Sequence, residues 1–267
     1  VGDRIGIDVG GSLVKVAYEE RGHIHTKIFS NQEIDELIQW LQLIAPRATL
    51  YLTGGKSGVL MEKLNHKMVQ VEEFEATTEG AKYLLQIEKQ VIKDHFILVS
   101  IGTGTSIYSV TEDSYDRLLG SGIGGGTFMG LGNLLTGESD FRKLRDLASQ
   151  GDATKCDLLV RDIYAPHEAP LNGDLTAANF GKVFTEKAEN IDDRMASLVK
   201  LIGETILLLS TQAASSTQVE QIVFVGSTLN GNKPLKNVLT SFQNLLPYEP
   251  IFLEKGSHAG AIGALFL

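Results

Sequence analysis

A single cysteine, Cys156, is all the thiol this 267-residue chain carries. That excludes an internal disulfide and any cysteine-clustered metal or iron–sulfur site, and it fits a reducing compartment. Basic charge is also scarce: Lys+Arg number 24 against Asp+Glu 33, a formal net charge of -9. Nucleic acid and anionic membrane surfaces both require a basic footprint, so neither is expected as the main partner, whereas an anionic ligand needs only a local pocket. No apolar run approaches the roughly 20 residues of a membrane span, and the chain opens into a strand pattern instead of a basic-then-apolar leader, so a cytoplasmic location is expected. The six histidines show no H-x-x-H or HExxH spacing, and no zinc site is expected. A Walker A loop is missing, and the opening motif lacks the G-x-G-x-x-G spacing of a dinucleotide fold.

What is present is an ordinary 43% hydrophobic content, enough for one large or two small domains. Residues 6–20, GIDVGGSLVKVAYEE, read as two buried strands around a Gly10-Gly11-Ser12 turn, and 23–29 as a third strand. Ser30 and Glu33 form the S-x-x-E pattern of a capping box. Ile34, Leu37, Ile38, Leu41 and Ile44 then keep the spacing of one buried helix face, stopped at Pro46. A strand at 48–55, a short helix, a strand near Lys67–Glu72, a helix over 75–87 and an apolar strand at 95–102 follow, an alternation that indicates an α/β fold. Later come a hairpin around GTGTS (102–106), a glycine-rich segment at 120–132, helices to about 215, the strand 221–226, and a last strand and helix from Pro250. The helix 189–214, carrying Met195, Leu198, Leu201, Ile202 and Ile206, serves either the core or a dimer seam. VSIGTGTSIYSV (99–110) repeats the pattern of IDVGGSLVKV (7–16), which predicts duplicated α/β domains facing each other across a cleft.

Glycine admits close backbone approach, so successive amides in Gly-Gly-Ser and Gly-Thr-Gly-Thr turns can converge on phosphate oxygens, with Ser12, Thr103, Thr105 and Ser106 adding hydroxyls. Asp8 ends an apolar strand, where an unpaired carboxylate is costly. Either it caps the turn amides or it binds magnesium, through water, alongside phosphates. Lys15 is either a solvated lysine or a phosphate contact. In GSGIGGGTFMGLGNLL (120–135), glycines leading into a helix place free amides and the positive dipole end against an anion.

With these motifs in order, the chain resembles a type II pantothenate kinase, within the acetate and sugar kinase/Hsp70/actin superfamily. The resemblance spans essentially the whole chain and rests on IDVGGSLVK (7–15), LTGG (52–55), EEFEATTEG (72–80), GTGTS (102–106), RLLGSGIGGGTFMGLG (117–132), GDLTAANFGK (173–182), IVFVGS (222–227) and HAGAIGAL (258–265). It implies duplicated actin-like, ribonuclease H-like domains around a central nucleotide cleft, divided as 1–94 and 95–267, the second bearing helical dimerisation elements. It implies a homodimer that uses ATP and Mg2+ to phosphorylate pantothenate. The nucleotide set carried over is Asp8, Val9, Gly10, Gly11, Ser12, Leu13, Val14, Lys15, Thr103, Gly125, Gly126, Thr127, Phe128, Met129, Phe141 and Ser227, with Asp8 toward the metal. The substrate set is Arg117, Thr105, Ser106 and Thr176, and the catalytic glutamate falls on Glu73. Ser12 departs from a more frequent threonine, and Ser121 and Ile123 lie in a variable part of the loop.

Glu73 suits the proton-accepting task of phosphoryl transfer on its own chemistry. In a strand ending VEEFE it shares a side with Val71 while Glu72 faces the other, and the like charges of Glu72 and Glu75 are expected to raise its pKa. The plain alternative is a solvated acidic strand end. For Arg117, among EDSYDR, the alternatives are a surface ion pair and a planar fork for a carboxylate or phosphoryl group. Two other functions share these motifs: a sugar or N-acetylhexosamine kinase, and a noncatalytic ATP-binding switch.

Overall fold

The computed structural model describes residues 2–184 and 190–267. Opening the chain, β1 (Arg4–Val9), β2 (Leu13–Glu20) and β3 (His23–Ser30) form an antiparallel meander. The Ser30 amide donates to Glu33 Oε2 at 2.6 Å, as the capping pattern predicts, and a short 3-10 turn leads into α1 (Ile34–Ile44). Next come β4 (Thr49–Thr53), α2 (Gly58–Lys63), β5 (Lys67–Gln70) and α3 (Glu73–Ile87). A second meander follows: β6 (Phe96–Ile101), β7 (Thr105–Val110) and β8 (Tyr115–Ser121). Then come α4 (Gly125–Thr136), α5 (Phe141–Gln150), β9 (Leu158–Leu159), α6 (Val160–Tyr164), β10 (Thr176–Ala178) and α7 (Ile191–Ser216). The chain closes with β11 (Gln221–Val225), α8 (Lys233–Thr240), β12 (Glu249–Phe252) and α9 (Ala259–Phe266).

The predicted duplication is visible in strand order. One five-stranded sheet runs β3-β2-β1-β4-β5 and the other β8-β7-β6-β11-β12. In each, a meander contributes three antiparallel strands, and two more join in parallel. Both sheets lie in one compact unit, Val1–Ser121 with Gln212–Asn230 and Tyr248–Leu267; Gly122–Thr211 and Gly231–Pro247 make a second.

In the first unit, Ile5, Ile7, Val14, Val16, Leu50 and Leu52 pack with Leu37 and Leu41 of α1. Each such fully buried aliphatic side chain contributes about 1.5–3 kcal/mol relative to exposure. The other face of β1 meets α9, which also crosses α3. That crossing is unusually close because its residues are small: a Cβ on Gly80 would lie 1.8 Å from the Ala259 carbonyl oxygen, and one on Gly263 would lie 1.7 Å from that of Ala76. The motifs EATTEGAK and HAGAIGAL thus serve backbone-to-backbone packing, which fixes the start of α3 against the strand that carries Asp8. In the second unit, Gly132 of α4 receives Leu144 and Met195, and Gly203 of α7 receives Leu235 and Val238.

Three expectations are corrected. Ile44 is exposed and does not join the buried face of α1, at whose C-terminal end it lies. The strand expected to run to Glu72 ends at Gln70, and α3 starts at Glu73, two residues early, because Glu72 caps it: the carboxylate accepts from the Glu75 amide at 2.7 Å. Finally, α7 is long and apolar enough by length and composition to cross a membrane, contrary to the reading that no run comes close. Its Met195, Leu198, Ile202 and Ile206 are buried and Leu201 is half-buried. Residue 189, where this helix was expected to begin, lies outside the described residues.

Candidate active site

Two glycine turns meet in the first unit. The β1–β2 turn closes with the Gly10 amide donating to the Leu13 carbonyl at 3.0 Å, and the β6–β7 turn with the Gly102 amide donating to Gly104 at 2.9 Å. A Cβ added to Gly11 would sit 2.8 Å from Thr103 Oγ1, so the first turn abuts the second. Thr228 fixes the second turn from behind by donating to the Gly102 carbonyl at 2.9 Å, next to Ser227.

Below the first turn, Asp8 and Lys15 are cross-strand partners, with Nζ 3.1 Å from Oδ2. Lys15 is therefore paired and buried, not a solvated lysine. Gly54, at φ +87°, crosses directly over this pair; a Cβ there would meet Val9 O at 2.5 Å and Asp8 Oδ1 at 2.7 Å. Only glycine fits the left-handed conformation and the contact together.

Magnesium, which the kinase resemblance implies, finds oxygen donors here. Asp8 supplies a carboxylate, and its register neighbour Thr53 has a buried hydroxyl with no hydrogen-bond partner. No cluster of three or more His, Cys, Asp or Glu is gathered among the described residues. One carboxylate with water and phosphate oxygens is a composition that magnesium accepts.

Glu73 opens α3, where its neighbours differ from those a strand would provide. Its pKa is raised, first by the protein packed around it, then by the Asp8 charge; Lys15 opposes this and Glu72 adds to it. The direction matches the expectation, but burial and Asp8 are the main causes, and Glu75, whose amide is engaged by Glu72, is not among them. Strand alternation cannot account for the orientation of Glu73; the first turn of a capped helix does.

Arg117 on β8 pairs across the sheet with Tyr108 on β7. Its guanidinium lies 5.4 Å from the centroid of the Phe74 ring, which is 5.7 Å from that of Tyr108. It makes no carboxylate ion pair among the described residues, so the surface ion-pair alternative is not met. Regular pairing of β7 with β6 turns Ser106 and Tyr108 to one face and the buried Thr105 to the other. Burial, with the Glu73 charge adding and the Ser106 hydroxyl opposing, pushes the Tyr108 pKa up to about 12, so its hydroxyl remains protonated through neutral pH. Tyr108 was not singled out from the sequence, although the period-two spacing from Ser106 carried the signal.

The second unit holds the glycine-rich helix start. Gly125 and Gly126 open α4, and Thr127 Oγ1 donates to the Gly122 carbonyl at 2.9 Å. The Phe128 ring is buried, edge-on to Phe141 at 5.3 Å, and its amide donates to the Gly124 carbonyl at 3.0 Å, so Phe128 is held by the helix start on both counts; Met129 is half-buried. Elsewhere in this unit Thr176 donates to Glu204 Oε1 at 2.8 Å, and Asn179 to Glu204 Oε2 at 3.2 Å. Buried Asp157 accepts the Phe180 amide at 2.8 Å and the Ser197 hydroxyl. The GDLTAANFGK segment is therefore tied down by the half-buried Glu204 and the buried Asp157, which the sequence pattern did not reveal.

The Fumble family model matches residues 19–267. A type II pantothenate kinase from Oceanobacillus iheyensis is 50% identical over 262 residues, covering 98% of both chains. One from Bacillus cereus is 41% identical over 265 residues, 98% of this chain and 96% of the relative. Among solved structures, the activator of the 2-hydroxyisocaproyl-CoA dehydratase from Clostridium difficile superposes over 98% of this chain and 92% of its own with a TM-score of 0.62 at 14% identity, a likeness of fold alone. The duplicated sheets therefore have an actin-like α/β fold, and the chain belongs to the Fumble family of type II pantothenate kinases.

Proposed function

We propose that the chain transfers the γ-phosphoryl group of ATP to the primary hydroxyl of pantothenate, the first step of coenzyme A biosynthesis. Besides family membership, the observation that carries this reading is a carboxylate of raised pKa, Glu73, placed under the influence of the Asp8–Lys15 pair beneath two meeting glycine turns. Glu73 orients the acceptor hydroxyl and takes its proton as the oxygen attacks the γ-phosphorus, and the β–γ bridging oxygen leaves with ADP. The turn residues Asp8, Val9, Gly10, Gly11, Ser12, Leu13, Val14 and Lys15, with Thr103, hold the phosphates through amides, hydroxyls and one ammonium. Asp8 would hold Mg2+ through water, and the bound ion would neutralise charge on the phosphates.

Arg117 takes the substrate carboxylate through its planar fork. Ser106, Thr105 and Thr176 complete the substrate set, and Gly125, Gly126, Thr127, Phe128, Met129, Phe141 and Ser227 the nucleotide set. In the cell we place the protein in the cytoplasm as a homodimer, with the domain boundary between residues 94 and 95. A coupled ADP-release assay against pantothenate, hexoses and buffer alone tests this. ADP release with pantothenate only is expected; release with hexose only would move the chain to the sugar kinases, and release with neither would favour a nucleotide-binding switch.

A further inference from the structure

The Gly10-Gly11-Ser12 turn is made of residues that constrain their own backbone weakly, so the peptide planes need an outside restraint if their amides are to face a phosphate. Asn31, at the exit of β3, supplies one. Its amide N–H donates to the Ser12 carbonyl at 3.2 Å, and its Nδ2 lies 2.7 Å from the Gly11 carbonyl and 3.4 Å from that of Gly10. All three consecutive carbonyls of the turn are directed at this one residue. Lys56, in the loop after β4, reaches the same centre, with Nζ donating to the Gly11 carbonyl at 2.8 Å. Its loop is fixed in turn, the Lys56 amide donating to Val9 O at 3.0 Å.

In a trans peptide the C=O and N–H point in opposite directions. Carbonyls gathered on the Asn31 side therefore leave the N–H groups of Gly11 and Ser12 on the other side. Both residues are exposed, and neither N–H has an acceptor among the described residues. Successive N–H groups facing one way form an anion-binding nest.

We propose that Asn31 and Lys56 are positioning residues for the nucleotide phosphates, acting through the turn: together they gather its carbonyls and so aim the Gly11 and Ser12 amides at a phosphate. The Lys56 contribution is charge-assisted and polarises the Gly11–Ser12 peptide, whose N–H becomes the stronger donor. The inference rests on the reading of this turn as a phosphate site, and not on the identity of the acceptor.

The test measures binding of a nonhydrolysable ATP analogue and of adenosine, together with the KM values for ATP and pantothenate, in Asn31→Ala, Asn31→Asp, Lys56→Met and Lys56→Arg proteins. Losing the Asn31 side-chain contacts should weaken the analogue about 5- to 30-fold, from roughly 1–2 kcal/mol of hydrogen bonding. Adenosine binding and the pantothenate KM should not change. Asn31→Asp, which turns a carboxylate toward the carbonyls, should be at least as damaging; Lys56→Met should lose several-fold, and Lys56→Arg should retain most of the affinity.

Wild-type analogue affinity in folded Asn31→Ala, or an equal loss of adenosine and analogue, overturns the proposal. A strong effect at Lys56 with none at Asn31 would also overturn it, by making Lys56 a direct phosphate ligand. Wild-type protein that binds the analogue but does not phosphorylate pantothenate would remove the acceptor assignment and leave this inference standing. Wild-type protein that binds no nucleotide would remove both.

Discussion

Replacing Gly80 with alanine puts a methyl group where the α3–α9 crossing has no space. The new Cβ would lie 1.8 Å from the Ala259 oxygen, 2.6 Å from its carbonyl carbon and 2.8 Å from the Gly263 nitrogen, all rigid backbone. Carbon contacts are comfortable at about 3.5–4.0 Å, so the helices must part by more than about 1 Å. Overpacking of this kind costs about 1–3 kcal/mol and occasionally more. At about 2–4 °C per kcal/mol for a domain of this size, Tm should fall on the order of 5–10 °C. Activity should suffer more than stability, since α3 begins with Glu73 and α9 brings Gly260 to within 3.2 Å, measured from its would-be Cβ, of Asp8 Oδ2. A shift of about 1 Å in such a constellation can cost about a hundredfold in rate. Differential scanning fluorimetry with steady-state kinetics at 25 °C reads both effects. Gly130→Ala, inside α4 with nothing within 4 Å of the new methyl group, is the control and should leave Tm unchanged or raised. Wild-type Tm and kcat in Gly80→Ala would refute the argument that this contact sets the catalytic geometry.

Four further outcomes are expected. Glu73→Gln should fold and bind ATP, yet lose about a hundredfold to ten-thousandfold in turnover; near-wild-type turnover would remove its role as the base. Because the Glu73 pKa is raised, the acid limb of kcat/KM should lie above the ordinary glutamate value of 4.5, and Glu72→Gln should move it to lower pH. Arg117→Ala should raise the KM for pantothenate while analogue binding stays constant, and Arg117→Lys should rescue only in part because a point charge replaces a planar fork; an unchanged pantothenate KM contradicts the assignment. Burial, with the charges of Lys15 and Lys255 adding, lowers the His258 pKa from 6.5 to about 4. The unfolded chain therefore binds the proton first as pH falls, and the stability held above pH 6.5 is lost progressively down to about pH 4. Part of this acid-side fall in Tm should vanish in His258→Gln, and an identical Tm profile would show that the imidazole is not the group responsible.

Much of the architecture was legible because it is written in local periodicity. The alternation in IDVGGSLVKV and VSIGTGTSIYSV, and the S-x-x-E pattern at Ser30, each specify an element whose partners lie nearby. Legibility fell where a residue's role depends on a distant neighbour. In the VEEFE pattern Glu72 reads as a strand residue, and its capping role appears only with its Glu75 and Tyr115 partners in place. The raised pKa of Glu73 was anticipated, but its chief charged cause is Asp8, 65 positions away in the chain and close in space. Asn31 and Lys56 belong to no motif; they matter through a carbonyl 20 and 45 residues away. The apolar stretch of α7 illustrates the converse: composition alone admits a membrane span, while Met195, Leu198, Ile202 and Ile206 are spent on the protein interior.

The central claim is that the meeting turns, Glu73 and Arg117 together direct the γ-phosphoryl group of ATP to pantothenate. Following the reaction of purified wild-type and Glu73→Gln protein with ATP, Mg2+ and pantothenate by phosphorus NMR tests it most directly. The account predicts a new phosphate monoester resonance growing in step with ADP for the wild type, and at most about one-hundredth of that rate for Glu73→Gln. ADP forming with inorganic phosphate alone, or the ester forming equally fast in both proteins, would contradict it.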